Sequence, residues 1–75
     1  MKSIRNFTAI IEKEDEGYVS LCPEIDVASQ GNTIEEARNN LQEAIELFFE
    51  YASEDEINTR LKGDFFITKM QIEVG

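Results

Sequence analysis

Histidine is absent from this 75-residue chain, cysteine and proline each occur once, and the four glycines lie far apart. Each shortage excludes a class of chemistry. Without imidazole there is no His general acid or base, and no Cys/His or Ser/His pair for nucleophilic catalysis. The lone Cys22 cannot close a disulfide within the chain, and one cysteine without histidine leaves zinc no ligand set. Gly17, Gly31, Gly63 and Gly75 form no phosphate-cradling loop. No apolar run approaches the roughly 20 residues of a membrane span. The N-terminus, MKSIRNFTAI, is positively charged but lacks the apolar core of a secretory signal. These absences predict a cytoplasmic protein with no membrane association, and they place Cys22 in a reduced core. Basic residues are also scarce, seven against 16 acids. They are dispersed and accompany no helix-turn-helix or basic aromatic strand, so direct nucleic-acid binding is not expected.

The length bounds what remains. A chain of this size forms one domain, here residues 1–75, and buries only about 60% of its unfolded surface. One helix layer on one small sheet is the core it supports. With disulfides and zinc excluded, self-association is the remaining reinforcement, and the reading predicts a homo-oligomer, a dimer or higher.

The net charge of −9 is concentrated. Between Glu35 and Glu56 stand eight acids and a single base, Arg38, which accounts for −7 of the total. Such a surface repels phosphates and anionic lipid and complements a basic protein. It also fits a solvated, solubilising helix face. Glu35, Glu43, Glu46 and Glu50 are the candidate partner-binding residues.

Periodicity orders the chain as strand, strand, strand, helix, strand. From Ile4 to Lys13, Phe7, Ala9 and Ile11 alternate with Thr8, Ile10 and Glu12. Glu14 to Gly17 is a polar turn in which Gly17 is placed to supply a positive φ. Tyr18 to Leu21 returns, Pro23 stops it, and Asp26 to Gln30 forms a short third strand ending at Gly31. Thr33 and Glu36 make a T-x-x-E capping box, in which Glu36 is expected to reach back to the Thr33 amide. From Ile34 to Ala52 one apolar stripe (Ile34, Ala37, Leu41, Ala44, Ile45, Phe48, Phe49, Ala52) opposes the acidic face. Leu47 falls off that stripe. The connector from Ser53 to Asp64 continues the helix or adds a short turn. Phe65 to Val74 alternates as a fourth strand.

The fold class is therefore α+β, a two-layer β-β-β-α-β domain. Because the helix runs back across the sheet, the last strand points the same way as the first and pairs beside it. The order is 3-2-1-4 with a right-handed crossover. Gly31, Thr33 and Glu36 are structural turn and cap residues. The sheet face away from the helix keeps apolar side chains, among them Ile10, Phe65 and Ile67, as a surface for a partner.

The run YVSLCPEIDVASQGNTIEEARNNLQEAI, from Tyr18 to Ile45, resembles the core of the N-terminal domain of the HicB family of antitoxins. The resemblance rests on Tyr18, on Leu21-Cys22-Pro23, on Ser29-Gln30-Gly31-Asn32-Thr33 and on Glu35-Glu36-Ala37, in that order and spacing. It covers about half the chain closely. It implies a partial ribonuclease-H-like fold without its active site, no cofactor and no enzymatic role. It also implies a partner, a small basic HicA-type toxin that cleaves mRNA, whose catalytic surface the antitoxin occludes. Many members carry a C-terminal DNA-binding domain; none is expected here, because the sequence stops at Gly75. Two other functions compete. One is an orphan oligomeric scaffold or protein-binding module without a toxin. The other is a residual metal-dependent nuclease, which needs carboxylates projecting from the middle of strand one, from the helix and from strand four. Phe7 to Ile10 and Ile67 to Met70 contain none there, so no metal site is expected.

Overall fold

Two residues, Asp15 and Glu16, link the first two strands, and the register of the hairpin follows from that short loop. In the computed structural model, which describes residues 5–61 and 66–75, β1 spans Ile10–Glu14 and β2 spans Gly17–Cys22. Ile10 lies opposite Leu21, and Glu14 opposite Gly17. The left-handed backbone falls on Asp15 (φ 40°), not on Gly17, which corrects the expectation for the glycine. Aspartate tolerates that region better than most residues. Gly17 is instead constrained by space, since a Cβ there would stand 3.0 Å from the Gly31 carbonyl oxygen.

The third strand, β3, spans Val27–Gly31 and pairs antiparallel with β2, giving a three-stranded sheet of order β1-β2-β3. The first strand is shorter than its alternation suggests. Continuing the register past Ile10 places Thr8 opposite Pro23, where β2 has already ended. Ile4, the expected start, lies outside the described residues.

Helix α1 runs Ile34–Tyr51, and Ala52 is its C-cap. Thr33 is extended (φ −132°, ψ 164°), and its hydroxyl accepts from the Glu36 amide at 3.0 Å. The reciprocal half of the capping box differs from expectation. The Glu36 carboxylate accepts from the Asn32 amide at 3.2 Å, one residue earlier than Thr33. Ala52 turns extended, and a second helix, α2, covers Glu54–Leu61, with the Ser53 hydroxyl accepting from the Glu56 amide. The connector is thus a separate capped helix.

The two layers meet closely. Ser20, Cys22, Ala37 and Leu41 are buried between sheet and α1, and Ile25 in the β2–β3 turn closes the core from below. Phe7, Phe48, Phe49 and Leu61 pack around this centre. The rings of Phe7 and Phe49 lie 5.6 Å apart, and Phe48 meets Phe49 edge-on at 5.3 Å. Full burial of a side chain such as Leu41 or Ile25 contributes about 1.5–3 kcal/mol. The stripe is therefore real along most of α1, but its first member, Ile34, is 56% exposed, because it precedes the first turn that touches the sheet.

No strand forms over residues 66–75, and their side chains are exposed. Phe65, Gly63 and Asp64 lie outside the described residues. A strand requires a hydrogen-bonded neighbour, and these residues have none among the described residues. The described sheet therefore has three strands rather than the four expected.

Candidate interaction surface

Three surfaces are available for contact, and each follows from how the layers pack. The first is the back of α1. Glu35, Glu43, Glu46 and Glu50 are all exposed on the side opposite the buried Ala37 and Leu41. A helical repeat of 3.6 residues brings them onto one face. Leu47 borders this face and is half exposed.

The second surface is the sheet face that α1 leaves uncovered. Ile10, Leu21 and Ala28 sit side by side in the register and point away from Ser20, Cys22 and the helix. Leu21 and Ala28 are exposed, while Ile10 is partly covered. Phe65, expected on this face, is outside the described residues.

The third surface was not legible in sequence. Between α1 and the segment that leads into β1, residues 5–9, runs an open groove of about 1110 Å³. Ala9 and Phe7 form one wall, Leu41, Ile45 and Phe49 form the other, and Ile57 of α2 closes an end. Among the described residues no strand lies on that outer side of the sheet, and the helix-facing side chains there remain open. Glu46 and Arg38 stand on its rim, so the acidic face and the groove share an edge.

Below the groove, Glu24 organises the end of β1. Its carboxylate accepts from the Thr8 amide at 2.8 Å and the Thr8 hydroxyl at 2.7 Å, and it faces the Cys22 thiol at 3.4 Å. Burial acts to raise the Glu24 pKa, but the hydrogen bonds from Thr8, its own backbone and Cys22 outweigh it, and the carboxyl titrates below its ordinary value. The Cys22 thiol is pushed up, first by burial and then by the Glu24 carboxylate beside it. Cys22 is a core residue, as its apolar neighbours suggested.

Gly31, Thr33 and Glu36 are brought together at the junction of β3 and α1. Gly31 has no left-handed backbone. Its role is proximity, because a Cβ there would fall 2.5 Å from the Ala37 amide nitrogen. The Asn40 side chain donates to the Gln30 carbonyl at 2.7 Å and straps α1 to the end of β3. Arg60 donates to the carbonyls of Ile25 (2.7 Å) and Asp26 (3.2 Å) and lies over the Phe48 ring at 5.1 Å. Asp26 carries the second left-handed backbone of the described residues (φ 55°). Glu24, Asn40 and Arg60 escaped the sequence reading, because their partners are remote backbone groups or side chains. Among the described residues, no three His, Cys, Asp or Glu side chains stand close enough to hold a metal ion. No described helix is long and apolar enough to cross a membrane.

The fold and its surfaces define a small two-layer α+β domain whose features are contact faces. The chain belongs to the UPF0150 protein family. It is 47% identical over 62 residues to a UPF0150 protein of Thermotoga maritima, covering 77% of this chain and 81% of the relative. It is 37% identical over 65 residues to a UPF0150 protein of Helicobacter pylori, covering 85% and 90%. A UPF0150 protein of Synechocystis is 51% identical over 51 residues, and the match spans 65% of each chain. These names state no activity or partner. No family model and no solved structure matches the chain.

Proposed function

We propose that this chain is a HicB-like antitoxin that binds and neutralises a small basic HicA-type mRNA-cleaving toxin of a type II toxin–antitoxin system. The observation that carries the reading is the exposed acidic face of α1, formed by Glu35, Glu43, Glu46 and Glu50 on a chain of net charge −9. An RNA-cleaving protein must present positive charge to its substrate. The same charge draws it to an acidic helix, speeding encounter and selecting the partner. Membership of the UPF0150 family is compatible with the resemblance of the run from Tyr18 to Ile45. The protein acts in the cytoplasm by covering the toxin, with no chemistry, cofactor or nucleic-acid contact of its own. The four-stranded, partial ribonuclease-H-like sheet of order 3-2-1-4 belongs to this reading. Its fourth strand, residues 65–74, lies beside β1, whose outer side is open.

Co-purification with the product of an adjacent gene for a small basic protein tests the proposal, followed by an RNA-cleavage assay with and without this chain. A tight complex that silences cleavage is expected. Cleavage that proceeds undiminished with excess chain present would overturn it. The uncovered apolar row of Ile10, Leu21 and Ala28 favours a second reading, an oligomeric scaffold without a toxin. A stable oligomer that captures no such protein is the outcome that selects it.

A further inference from the structure

We infer that residues 66–75 of one chain lie along the outer side of β1 and of the segment before it in a second copy and fill the groove there, so that two chains exchange arms. The inference rests on the fourth-strand reading above and names the donor of that strand. It holds whether or not a toxin exists.

Four observations carry it. The acceptor is incomplete: among the described residues, β1 is an edge strand with an unpaired outer side. The Thr8 amide is turned towards Glu24 on the β2 side. By the alternation of an antiparallel ladder, the backbone groups of Ile11 and Lys13 face outward. An edge of that kind is a template for an added strand.

The donor is in the same chain and has the complementary pattern. Phe66, Thr68, Met70, Ile72 and Val74 share one side of an extended arm. Phe66 is 91% exposed, Met70 76%, Ile72 67% and Val74 85%. Exposed apolar side chains at every second position, with Thr68 the one polar member, match a groove walled by Ala9, Leu41, Ile45 and Phe49. The arm and the groove together bring roughly 20 residues of each copy into contact, the size of a standard interface.

The arm does not occupy the groove of its own chain: none of residues 66–75 lines it. α2 lies across the end of the groove with Glu54, Ile57 and Asn58. Its last turn is held beyond it, by Arg60 on the carbonyls of Ile25 and Asp26 in the β2–β3 turn. Residues 66–75 are exposed throughout. The radius of gyration is 14.7 Å, against about 11 Å for a compact domain of this length.

Charge selects a second copy over a basic partner at this place. In a chain of net charge −9, the arm carries one Lys (Lys69) and one Glu (Glu73). The groove rim sets Arg5 and Arg38 against Glu46 and Glu54. Two like-charged chains therefore meet through their neutral parts.

The test uses the full chain. Light scattering is expected to give twice the 8.6 kDa chain mass. Met70→Lys with Ile72→Lys is expected to raise the dimer dissociation constant at least tenfold while helical circular dichroism is retained. Disulfide trapping then identifies the donor; Cys22 is fully buried and does not compete. Ala9→Cys chains are mixed with chains carrying Thr68→Cys, Met70→Cys or Ile72→Cys. A trapped pair of one chain of each kind supports exchange. Trapping only within a single doubly substituted chain overturns exchange and leaves the fourth strand in its own sheet. No trapping in either arrangement, with the mass unaffected by the lysines, overturns the fourth-strand reading as well.

Discussion

The Ser20 hydroxyl donates to the Ala37 carbonyl across 2.8 Å, joining the middle of β2 to the first turn of α1. Both residues are buried, and the bond sets how closely helix and sheet approach. A hydroxyl in the core without a partner costs free energy, so its pairing matters. Ser20→Ala should lower stability by about 1 kcal/mol. Ser20→Val should cost more, about 1–3 kcal/mol, because the added methyl groups press on Ala37 and overpack the contact. Urea titrations of the three proteins check the order.

Gly31 and Thr33 should behave as structural residues with different magnitudes. Gly31→Ala sets a Cβ against backbone atoms of Glu36 and Ala37, which cannot rotate away. A loss of roughly 2–4 kcal/mol is expected. Thr33→Ala removes only the cap to Glu36 and should cost about 1 kcal/mol. Partner binding should persist in Thr33→Ala at temperatures where it remains folded. Lost binding in a folded Thr33→Ala protein would place the helix start in the interface.

Glu24 makes stability depend on acid pH in a definite direction. Its carboxyl titrates below the ordinary 4.5 when folded. The unfolded chain therefore binds the proton first on acidification. The contribution of Glu24 is present above about 4.5 and is lost as pH falls through the folded value. At pH 7, Glu24→Gln should be less stable by about 1.5 kcal/mol. The gap to the natural protein should narrow as the pH is lowered towards 3. A constant gap from pH 7 to 3 would assign the cost to packing rather than charge.

Cys22 should be silent in the native state. It is fully buried, and its pKa is raised by burial and by Glu24. The thiolate that reacts with disulfide reagents is thus both inaccessible and disfavoured. Labelling should proceed at a rate that follows unfolding and should accelerate with urea in parallel with loss of circular dichroism. Fast labelling without denaturant would contradict a core role.

Reversal of the acidic face tests the proposed capture. The triple change Glu43→Lys, Glu46→Lys and Glu50→Lys should weaken toxin binding at least tenfold, about 1.4 kcal/mol. All three residues are exposed, so the variant should fold. Added salt should weaken the natural complex, and much less that of the variant. Undiminished affinity in the folded variant would move the contact to the groove or to the apolar sheet face.

Local signals were readable from sequence because their partners are close in the chain. The hairpin between Ile10 and Cys22, the stop at Pro23, the Thr33 cap and the helix from Ile34 each depend on neighbours within a few residues. Errors arose where the choice fell between neighbouring residues or where a paired strand ended. Glu36 bonds Asn32 rather than Thr33. β1 starts late because β2 ends before Pro23. The left-handed backbone of the hairpin falls on Asp15 rather than Gly17.

The sequence by itself determined the α+β class, the long acidic amphipathic helix, its cap, and the absence of histidine chemistry and of an intrachain disulfide. Those follow from periodicity and composition, which any local stretch displays. Only the tertiary structure decided that Glu24, Thr8 and Cys22 meet, that Arg60 anchors α2 to the Ile25 turn, and that an open groove lies between α1 and the segment before β1. These depend on groups brought together from across the chain, and on the empty side of an edge strand. The alternation of Phe66, Met70 and Ile72 marks a strand. A strand also needs a neighbour, and only the folded sheet reveals whether one is available.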